Sequence, residues 1–284
     1  MVLIVCVWRV GGGGYSVGPV VIQNKTQTWE KVSCHEESIH RKQNTDIRIQ
    51  AQWLVKLMDR VGPVEAQEIF QHSGVPFTGQ MHLLNHTVGD YIWNKYGPKG
   101  ITKCKDYFSS SCFHGFIIRG IGNGKLENAD AMMNECRKKG KAAYAQCAHA
   151  MGHGLLAYEG YANLLEALTL CDNMEKRVDG FVVSFCHNGV YMENIWGLHE
   201  GKPSPDRWIK ADDIYYPCDD KRLPKQTISE CWYNQSFQLT KVFKGDRVKV
   251  ANECHMVEDS RSKAMCFDGL FRGFNNRTEN EVTK

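Results

Sequence analysis

The sequence predicts an all-α protein of about six stacked helical hairpins, arranged as a curved solenoid or a closed α/α toroid. Ten of the twelve cysteines fall into pairs whose members lie 8 to 15 residues apart. The later cysteine of each pair begins a similar sequence motif, which we call a phrase. Successive phrases follow at steps of 35, 39, 45 and 35 residues. These phrases are CFHGFIIRG at 112, CAHAMGHG at 147, CHNGVYMEN at 186, CWYNQSF at 231 and CFDGLFRG at 266.

The helical domain is predicted to span residues 46–274, between two ends of different composition. Residues 1–45 are interpreted as a poorly ordered arm, whose apolar start MVLIVCVW is the remnant of an export signal or an irregular end. Residues 275–284 are interpreted as a polar tail. The functional residues are therefore expected to lie in this one helical domain.

The first elements of this domain are predicted from helical periodicity. Ile47–Met58 and Val64–His72 have the pattern of an amphipathic hairpin that Gly62-Pro63 divides. Met81 then opens MHLLNHTVG, a phrase like the later ones with Met in place of Cys. Later stretches such as NLLEALTL over 163–170 are rich in helix formers, with apolar residues at three- and four-residue spacing.

The paired cysteines are predicted to form disulfides that fasten the two helices of each hairpin together. Antiparallel helices pack about 8–10 Å apart, and small cysteine side chains let them approach closely enough to bridge. The alternatives are reduced core cysteines and zinc ligands, although no Cys-x-x-Cys spacing occurs. The predicted pairs are Cys104 with Cys112, Cys136 with Cys147, Cys171 with Cys186, Cys218 with Cys231, and Cys254 with Cys266.

Polar side chains recur two and six residues after the cysteine that opens each phrase. A helix turns by about 100° per residue, so these positions (+2 and +6) lie on the side opposite the cysteine. That side is predicted to line a concave wall or lumen. The residues there are His114 and Ile118, His149 and His153, Asn188 and Met192, Tyr233 and Phe237, and Asp268 and Arg272.

Two His-x-x-x-His pairs, His82 with His86 and His149 with His153, predict a metal site in this lumen. The i, i+4 spacing places both imidazoles of a pair on one helix face, within reach of one ion. A transition metal, zinc or iron, is the predicted cofactor. His114 is a candidate acid or base, and Glu193 a candidate catalytic carboxylate; by its angle Glu193 faces the cysteine side, so it needs a helix break at Gly189 to join the site.

The composition of the chain narrows the classes of partner and the cellular compartment that can be expected. Lys and Arg number 35 against 32 Asp and Glu, so the chain has no basic surplus that indicates nucleic-acid binding. No apolar run is long enough for a transmembrane helix. Disulfides predict an extracytoplasmic protein, whether secreted, periplasmic or lumenal, with a small-molecule or peptide ligand in its lumen.

The long step before Cys231 carries an insertion over 197–217, whose aromatic residues either cover that lumen or pack down the loop.

The phrases as a set, from HLLNHTVGDYIWNKYG at 82 to CFDGLFRG at 266, resemble an uncharacterised microbial family of Cys/His-rich helical-repeat proteins. That resemblance covers roughly residues 65–274 and implies no activity. CHNG at 186 and CWY at 231 are also loosely similar to the zinc motifs of lanthionine cyclases, which are α-toroids. This second resemblance implies a cytosolic zinc enzyme with Cys186, His187 and Cys231 as ligands.

Three functions therefore stay open from the sequence. The first is an extracytoplasmic metal-binding protein or metalloenzyme with a lumen lined by histidines. The second is a disulfide-stapled helical-repeat module that binds a ligand without metal or catalysis. The third is the zinc-dependent cyclase.

Overall fold

A computed structural model of the chain describes residues 3–10, 14–22, 47–72, 79–122, 126–197 and 204–275. From Ile47 onward every regular element in these ranges is a helix, which confirms the helical class of the domain. The eleven α-helices of the described residues are α1 (Ile47–Val61), α2 (Pro63–Gln71), α3 (Gly79–Tyr96), α4 (Ser111–Gly122), α5 (Glu127–Lys138), α6 (Lys141–Glu159), α7 (Leu164–Arg177), α8 (Val183–Trp196), α9 (Ile228–Val242), α10 (Arg247–Met256) and α11 (Ser260–Asn275). Two 3-10 helices lie at Gly97–Lys103 and Lys225–Thr227.

The amino-terminal segment contains a β-hairpin within residues 3–22, where the sequence predicts a poorly ordered arm. Leu3–Val10 (β1) pairs antiparallel with Gly14–Ile22 (β2), with an irregularity between Val5 and Val7. Both strands are rich in Val and Ile, which favour extended backbone, and a glycine run lies between them. The rest of the predicted arm, residues 23–45, and nearly all of the predicted tail lie outside the described residues.

The chain forms two compact units. Unit 1 contains Met1–Lys95 and Lys103–Phe116, and unit 2 contains Tyr96–Thr102 and Ile117–Lys284. In unit 1, α1 and α2 form the expected hairpin, which turns at Gly62 with a φ of 83°. Leu54 and Phe70, fully buried, belong to its core. Gln67 of α2 donates to the Lys103 carbonyl and accepts from the Lys105 amide, which fixes the chain leading into Cys104.

Five disulfides join the paired cysteines in the combinations expected from their spacing. Cα atoms within a pair lie 5.5 to 6.3 Å apart, and all ten side chains are buried. The bridges join Cys104 to Cys112, Cys136 to Cys147, Cys171 to Cys186, Cys218 to Cys231, and Cys254 to Cys266.

The bridges differ in what they connect. Those of Cys147, Cys186 and Cys266 each join two helices, namely α5 to α6, α7 to α8 and α10 to α11. The bridges of Cys104 and Cys218 instead join non-helical chain to α4 and α9. In these two repeats a cross-linked loop therefore takes the place of the first helix of a hairpin, and the total of about six hairpins stays a prediction.

Two of the phrases begin inside a helix rather than at its start. Cys147 lies six residues after Lys141, the first residue of α6, and Cys266 lies six residues after Ser260, the first residue of α11. The extra turns come before the cysteine, so the phrase marks a position on the helix and not its boundary. The cysteine spacing therefore predicts the cross-links but not where each helix begins.

A repeated backbone contact joins the helices that carry the phrases. In unit 2, a Cβ atom on Gly189, at position +3 of its phrase, would lie closer than 3.0 Å to the carbonyl of His149, at +2 of the preceding phrase. Gly269 meets the Tyr233 carbonyl in the same way. At the equivalent +3 position Asn234 donates to the Asn188 carbonyl at 3.1 Å. The contact from +3 to the preceding +2 carbonyl therefore fixes how neighbouring phrase helices align.

The same contact in unit 1 corrects the register of the first phrase. Gly115, at +3 after Cys112, meets the carbonyl of His86, so His86 occupies position +2. The equivalent of the opening cysteine is therefore Leu84, and the prediction that Met81 takes this place is wrong by three residues. Gly89 supports this alignment, because it meets the Cys112 carbonyl as Gly152 meets that of Cys186. No cysteine occurs in MHLLNHTVG, so the sequence alone does not define where this first phrase begins.

Candidate functional site

Three histidines converge in unit 1. His82 and His86 lie one turn apart on α3, and His114 lies in the first turns of α4. Their ring centroids are 4.9 Å apart for His82 and His86, 5.0 Å for His82 and His114, and 5.7 Å for His86 and His114. The rings meet edge to face, and one nitrogen from each lies within 4.8 Å of the other two. This first cluster therefore presents three imidazole nitrogens to one point.

Close packing of α3 on α4 brings the first cluster together. Gly89 and Gly115 each lie against backbone atoms of the opposite helix, where any larger residue would separate the helices. His86 supplies the carbonyl that meets Gly115, and His114 directly precedes that glycine. The imidazoles of His86 and His114 are thus positioned by the backbone contact itself.

A backbone carbonyl fixes the protonation pattern of His82. Its Nδ1 lies 2.8 Å from the carbonyl oxygen of Phe108, which accepts a proton only from an N–H. The neutral ring then has a lone pair on Nε2, and that atom lies 3.1 Å from Nδ1 of His114. A histidine whose second nitrogen donates to a carbonyl is the usual arrangement of a metal ligand.

The loop that supplies this carbonyl is held by a disulfide. Phe108, Ser109 and Ser110 have φ values of 50°, 54° and 58°, in the left-handed region that side chains disfavour. The Cys104–Cys112 bridge closes the loop around them, and Ser110 donates to Asp106 within it. A constrained loop thus aims the Phe108 carbonyl at His82.

A second group of polar side chains, His149, His153, Glu193 and Tyr161, lies in unit 2. His153 is buried on α6, and its Nδ1 lies 2.8 Å from a carboxylate oxygen of Glu193 on α8. The other carboxylate oxygen accepts a short hydrogen bond from the Tyr161 hydroxyl. Nε2 of His153 lies 3.1 Å from Nε2 of His149, one turn earlier on α6. We call these four residues the second cluster.

Glu193 reaches this cluster without the helix break that the sequence analysis predicts from its angular position. It lies within the continuous helix α8, one turn after Gly189. The cysteine side of a phrase helix faces the preceding phrase helix as well as its hairpin partner, as the contact of Gly152 with the Cys186 carbonyl shows. A side chain on that side can therefore extend to α6, and the expectation of a break at Gly189 is wrong.

The structure brings each predicted histidine close to at least one other predicted site residue. His82, His86 and the candidate acid or base His114 form the first cluster, and His149, His153 and Glu193 belong to the second. Sequence reasoning missed Tyr161 and the Phe108 carbonyl. Tyr161 follows the end of α6 without any repeated pattern, and a backbone acceptor has no residue signature, so no sequence signal could have identified either.

The zinc ligands implied by the cyclase resemblance are not present as a set. Cys186 and Cys231 are both in disulfides, with Cys171 and Cys218, and so have no thiolate to offer a metal. His187 instead lies 3.0 Å from Asp172, with its side chain 2% exposed. The cyclase prediction is therefore wrong in its ligands, because those cysteines serve as cross-links.

Burial lowers the pKa of His187 below its ordinary value, and the nearby Asp172 carboxylate offsets only part of this effect. The unfolded chain therefore takes up this proton at a higher pH than the folded chain does. Stability from this group is complete above pH 6.5, the ordinary value, and is lost as the pH falls from there towards the lowered folded value.

We expect His187→Phe to flatten the dependence of the unfolding free energy on pH below 6.5. Denaturant unfolding at a series of pH values measures this, with His255→Gln, at an exposed position, as the matched control. Curves for His187→Phe that run parallel to those of the unsubstituted protein would contradict the assignment.

The aromatic residues of the insertion pack against the chain itself. Trp208 donates from its indole nitrogen to the Ala162 carbonyl at 2.9 Å and stacks on Tyr216, with centroids 5.8 Å apart. Arg222 lies over Trp208, and Lys210 over Tyr216. Of the two expectations for these aromatic residues, that they cover the lumen or pack down the loop, the described part of the loop favours the second.

The chain matches no protein-family profile, no curated protein and no solved structure. Both resemblances drawn from its phrases therefore stay expectations. Among the described helices, none combines the length and the apolar character needed to cross a bilayer. The clustered histidines and the disulfides are therefore the features of the molecule that indicate a function.

Proposed function

We propose that the protein binds a transition-metal ion through His82, His86 and His114. The convergence of three imidazole nitrogens within 4.8 Å is the observation that carries this proposal. The hydrogen bond from His82 to the Phe108 carbonyl supports it, since it keeps Nε2 unprotonated as metal binding requires. His114 is 4% exposed, so a neighbouring ion would bind in a largely desolvated place.

Zinc is the ion that this ligand set favours. Three neutral nitrogens suit borderline ions, and zinc commonly takes three histidines and a water in tetrahedral geometry. Non-haem iron(II) sites usually add a carboxylate, and the first cluster consists of imidazoles. An open fourth position would bind a water whose pKa the zinc lowers to about 7, so the same site can serve a metalloenzyme with a small-molecule or peptide substrate.

The compartment in this proposal is an oxidising one, either extracellular, periplasmic or lumenal. All ten paired cysteines are buried and cross-linked. Disulfides persist where no thiol reductant is maintained, and a short loop of this kind contributes about 2–3 kcal/mol to stability. The hairpins themselves are proposed to continue as a curved or closed array, as the repeated contact between successive phrase helices within unit 2 favours.

Titration of metal-free protein with Co²⁺ tests the metal proposal. We expect visible absorption bands of an imidazole-bound ion that reach saturation, and their loss when Zn²⁺ is added, because zinc binds such a site more tightly than cobalt. A protein without such bands and without saturable Zn²⁺ binding would overturn the proposal. The alternative of a disulfide-stapled binding module without metal would then stand.

A further inference from the structure

We infer that the Cys104–Cys112 disulfide regulates metal binding at the first cluster. The site holds its ion tightly while the bridge is closed, and weakly once a dithiol reductant opens it. The inference rests on the proposed function, because the ion is the one bound through His82. The residues that carry it all belong to unit 1. The bridge acts through the Phe108 carbonyl, so its two cysteines are positioning residues and not ligands.

The loop inside the bridge reaches His82 through one backbone atom. Phe108 lies midway between the two cysteines, which are 8 residues apart, and its carbonyl accepts from Nδ1 of His82 at 2.8 Å. Opening the bridge therefore releases the chain on both sides of this acceptor. Loss of the group that orients a ligand histidine typically weakens metal binding about 10- to 100-fold.

The closed bridge holds a backbone conformation that a free chain would leave. Phe108, Ser109 and Ser110 have φ values of 50°, 54° and 58°, and such residues persist only where the surrounding structure enforces the left-handed region. The Phe108 ring packs on Phe70 with centroids 4.9 Å apart, but the bridge is the covalent constraint on this segment. We therefore expect the open loop to relax and the Phe108 carbonyl to turn away from His82.

Reduction removes this constraint without supplying a new ligand. In thiol–disulfide exchange the dithiol gives up two electrons and two protons and becomes a disulfide, while Cys104 and Cys112 become thiols. Cys112 lies two residues before His114 on α4, about 200° away around the helix, so its thiol faces the opposite side from the imidazole. The Cα of Cys104 lies 5.5 Å from that of Cys112. The freed thiols therefore do not replace the lost orientation of His82.

Burial of the bridge makes the coupling reciprocal. Cys104 and Cys112 are both fully buried, so a reductant reaches them only when the loop opens locally. An ion on Nε2 of His82 favours the proton on Nδ1 and its hydrogen bond to Phe108, and so opposes this opening. By linkage, a bridge that strengthens metal binding is stabilised by the metal to the same extent. In the oxidising compartment proposed above, the closed bridge is the resting state.

The Zn²⁺ affinity of the full-length protein, measured by competition with a chromophoric chelator, tests the inference. Cys104→Ala combined with Cys112→Ala is expected to bind Zn²⁺ about 10- to 100-fold more weakly than the unsubstituted protein. Cys254→Ala combined with Cys266→Ala is the matched control, because it removes a buried bridge in unit 2, and should leave the affinity unchanged. Far-UV circular dichroism establishes that both variants fold.

The tautomer of His82 supplies a readout that is independent of the ion. Imidazole ¹⁵N NMR of the metal-free protein, with His82→Ala for assignment, is expected to show the ring proton on Nδ1 in the unsubstituted protein and in the control. The variant without Cys104 and Cys112 should lose this fixed tautomer, because the Phe108 carbonyl no longer accepts from the ring.

Reduction of the unsubstituted protein tests the reciprocal effect and needs no variant. A phosphine takes the place of the dithiol, because dithiols chelate zinc, and alkylation with mass spectrometry then follows each bridge. Saturating Zn²⁺ is expected to slow the opening of Cys104–Cys112 about 10-fold and to leave Cys254–Cys266 unaffected.

Three results would each overturn the inference while the metal proposal stands. These are an affinity that the loss of Cys104–Cys112 leaves unchanged, a His82 tautomer that survives this loss, and a reduction rate of the bridge that Zn²⁺ does not alter. A protein that does not bind Zn²⁺, or whose His82→Ala variant binds it as tightly as the unsubstituted protein, would instead refute the metal proposal itself.

Discussion

Replacing His86 by alanine is expected to weaken zinc binding at the first cluster by about 100- to 1000-fold, since four-ligand sites release about 10–16 kcal/mol and one ligand then carries about 3–4 kcal/mol. The ring of His86 is only partly buried, so its removal leaves the α3–α4 packing through Gly89 and Gly115 in place. The loss should therefore appear in affinity rather than in the fold.

Competition between the metal-free protein and a chromophoric chelator measures this affinity. His255→Ala is the matched control, because that imidazole is exposed on α10 and packs on the ring of Phe267. An affinity for zinc that is the same in both variants would show that His86 is not a ligand.

Replacing Gly189 by alanine is expected to cost about 3 kcal/mol or more, at the upper end of the range for overpacked interiors. The new methyl group would lie closer than 3.0 Å to the His149 carbonyl and 3.2 Å from the Gly152 Cα, so it meets backbone that cannot rotate away. The helices α6 and α8 must then separate, which also disturbs the alignment of His153 with Glu193.

Thermal unfolding measures this effect, with an expected fall in Tm of about 6–12 °C for a domain of this size. Gly122→Ala is the matched control: Gly122 also lies in a helix, but its added Cβ meets no atom within 4 Å among the described residues beyond its own helical turn. That variant should unfold at the same temperature as the unsubstituted protein or slightly above it, because alanine restricts the unfolded chain. Equal Tm values for the two variants would show that the helices are not in close contact at Gly189.

The parts of the fold that could be predicted are those with a periodic cause. Cysteines 8 to 15 residues apart can reach each other across a tight reversal of the chain, and this constraint was sufficient to give all five pairs. Histidines four residues apart on a helix must share a face, and so His82 with His86 and His149 with His153 were identified correctly as neighbours.

The parts that could not be predicted depend on contacts between elements. Glu193 faces the cysteine side of its helix, as its position in the sequence predicts. The sequence does not reveal that α6 lies beside that face, so the helix break predicted at Gly189 was wrong. The start of the first phrase at Leu84 follows from which carbonyl Gly115 meets, and no periodicity contains that information. The hydrogen bond from His82 to the Phe108 carbonyl could not be predicted either, because the carbonyl points at His82 only in the closed loop.

The contact from position +3 to the preceding +2 carbonyl has a consequence for how such chains can diversify. Main-chain atoms set the spacing of neighbouring helices, so the connecting segments can lengthen or shorten without displacing the +2 side chain. Within this one chain, His149, Asn188, Tyr233 and Asp268 already occupy that place. Exchange of a single residue at any repeat can therefore alter the side-chain chemistry at position +2 while the backbone contact is kept.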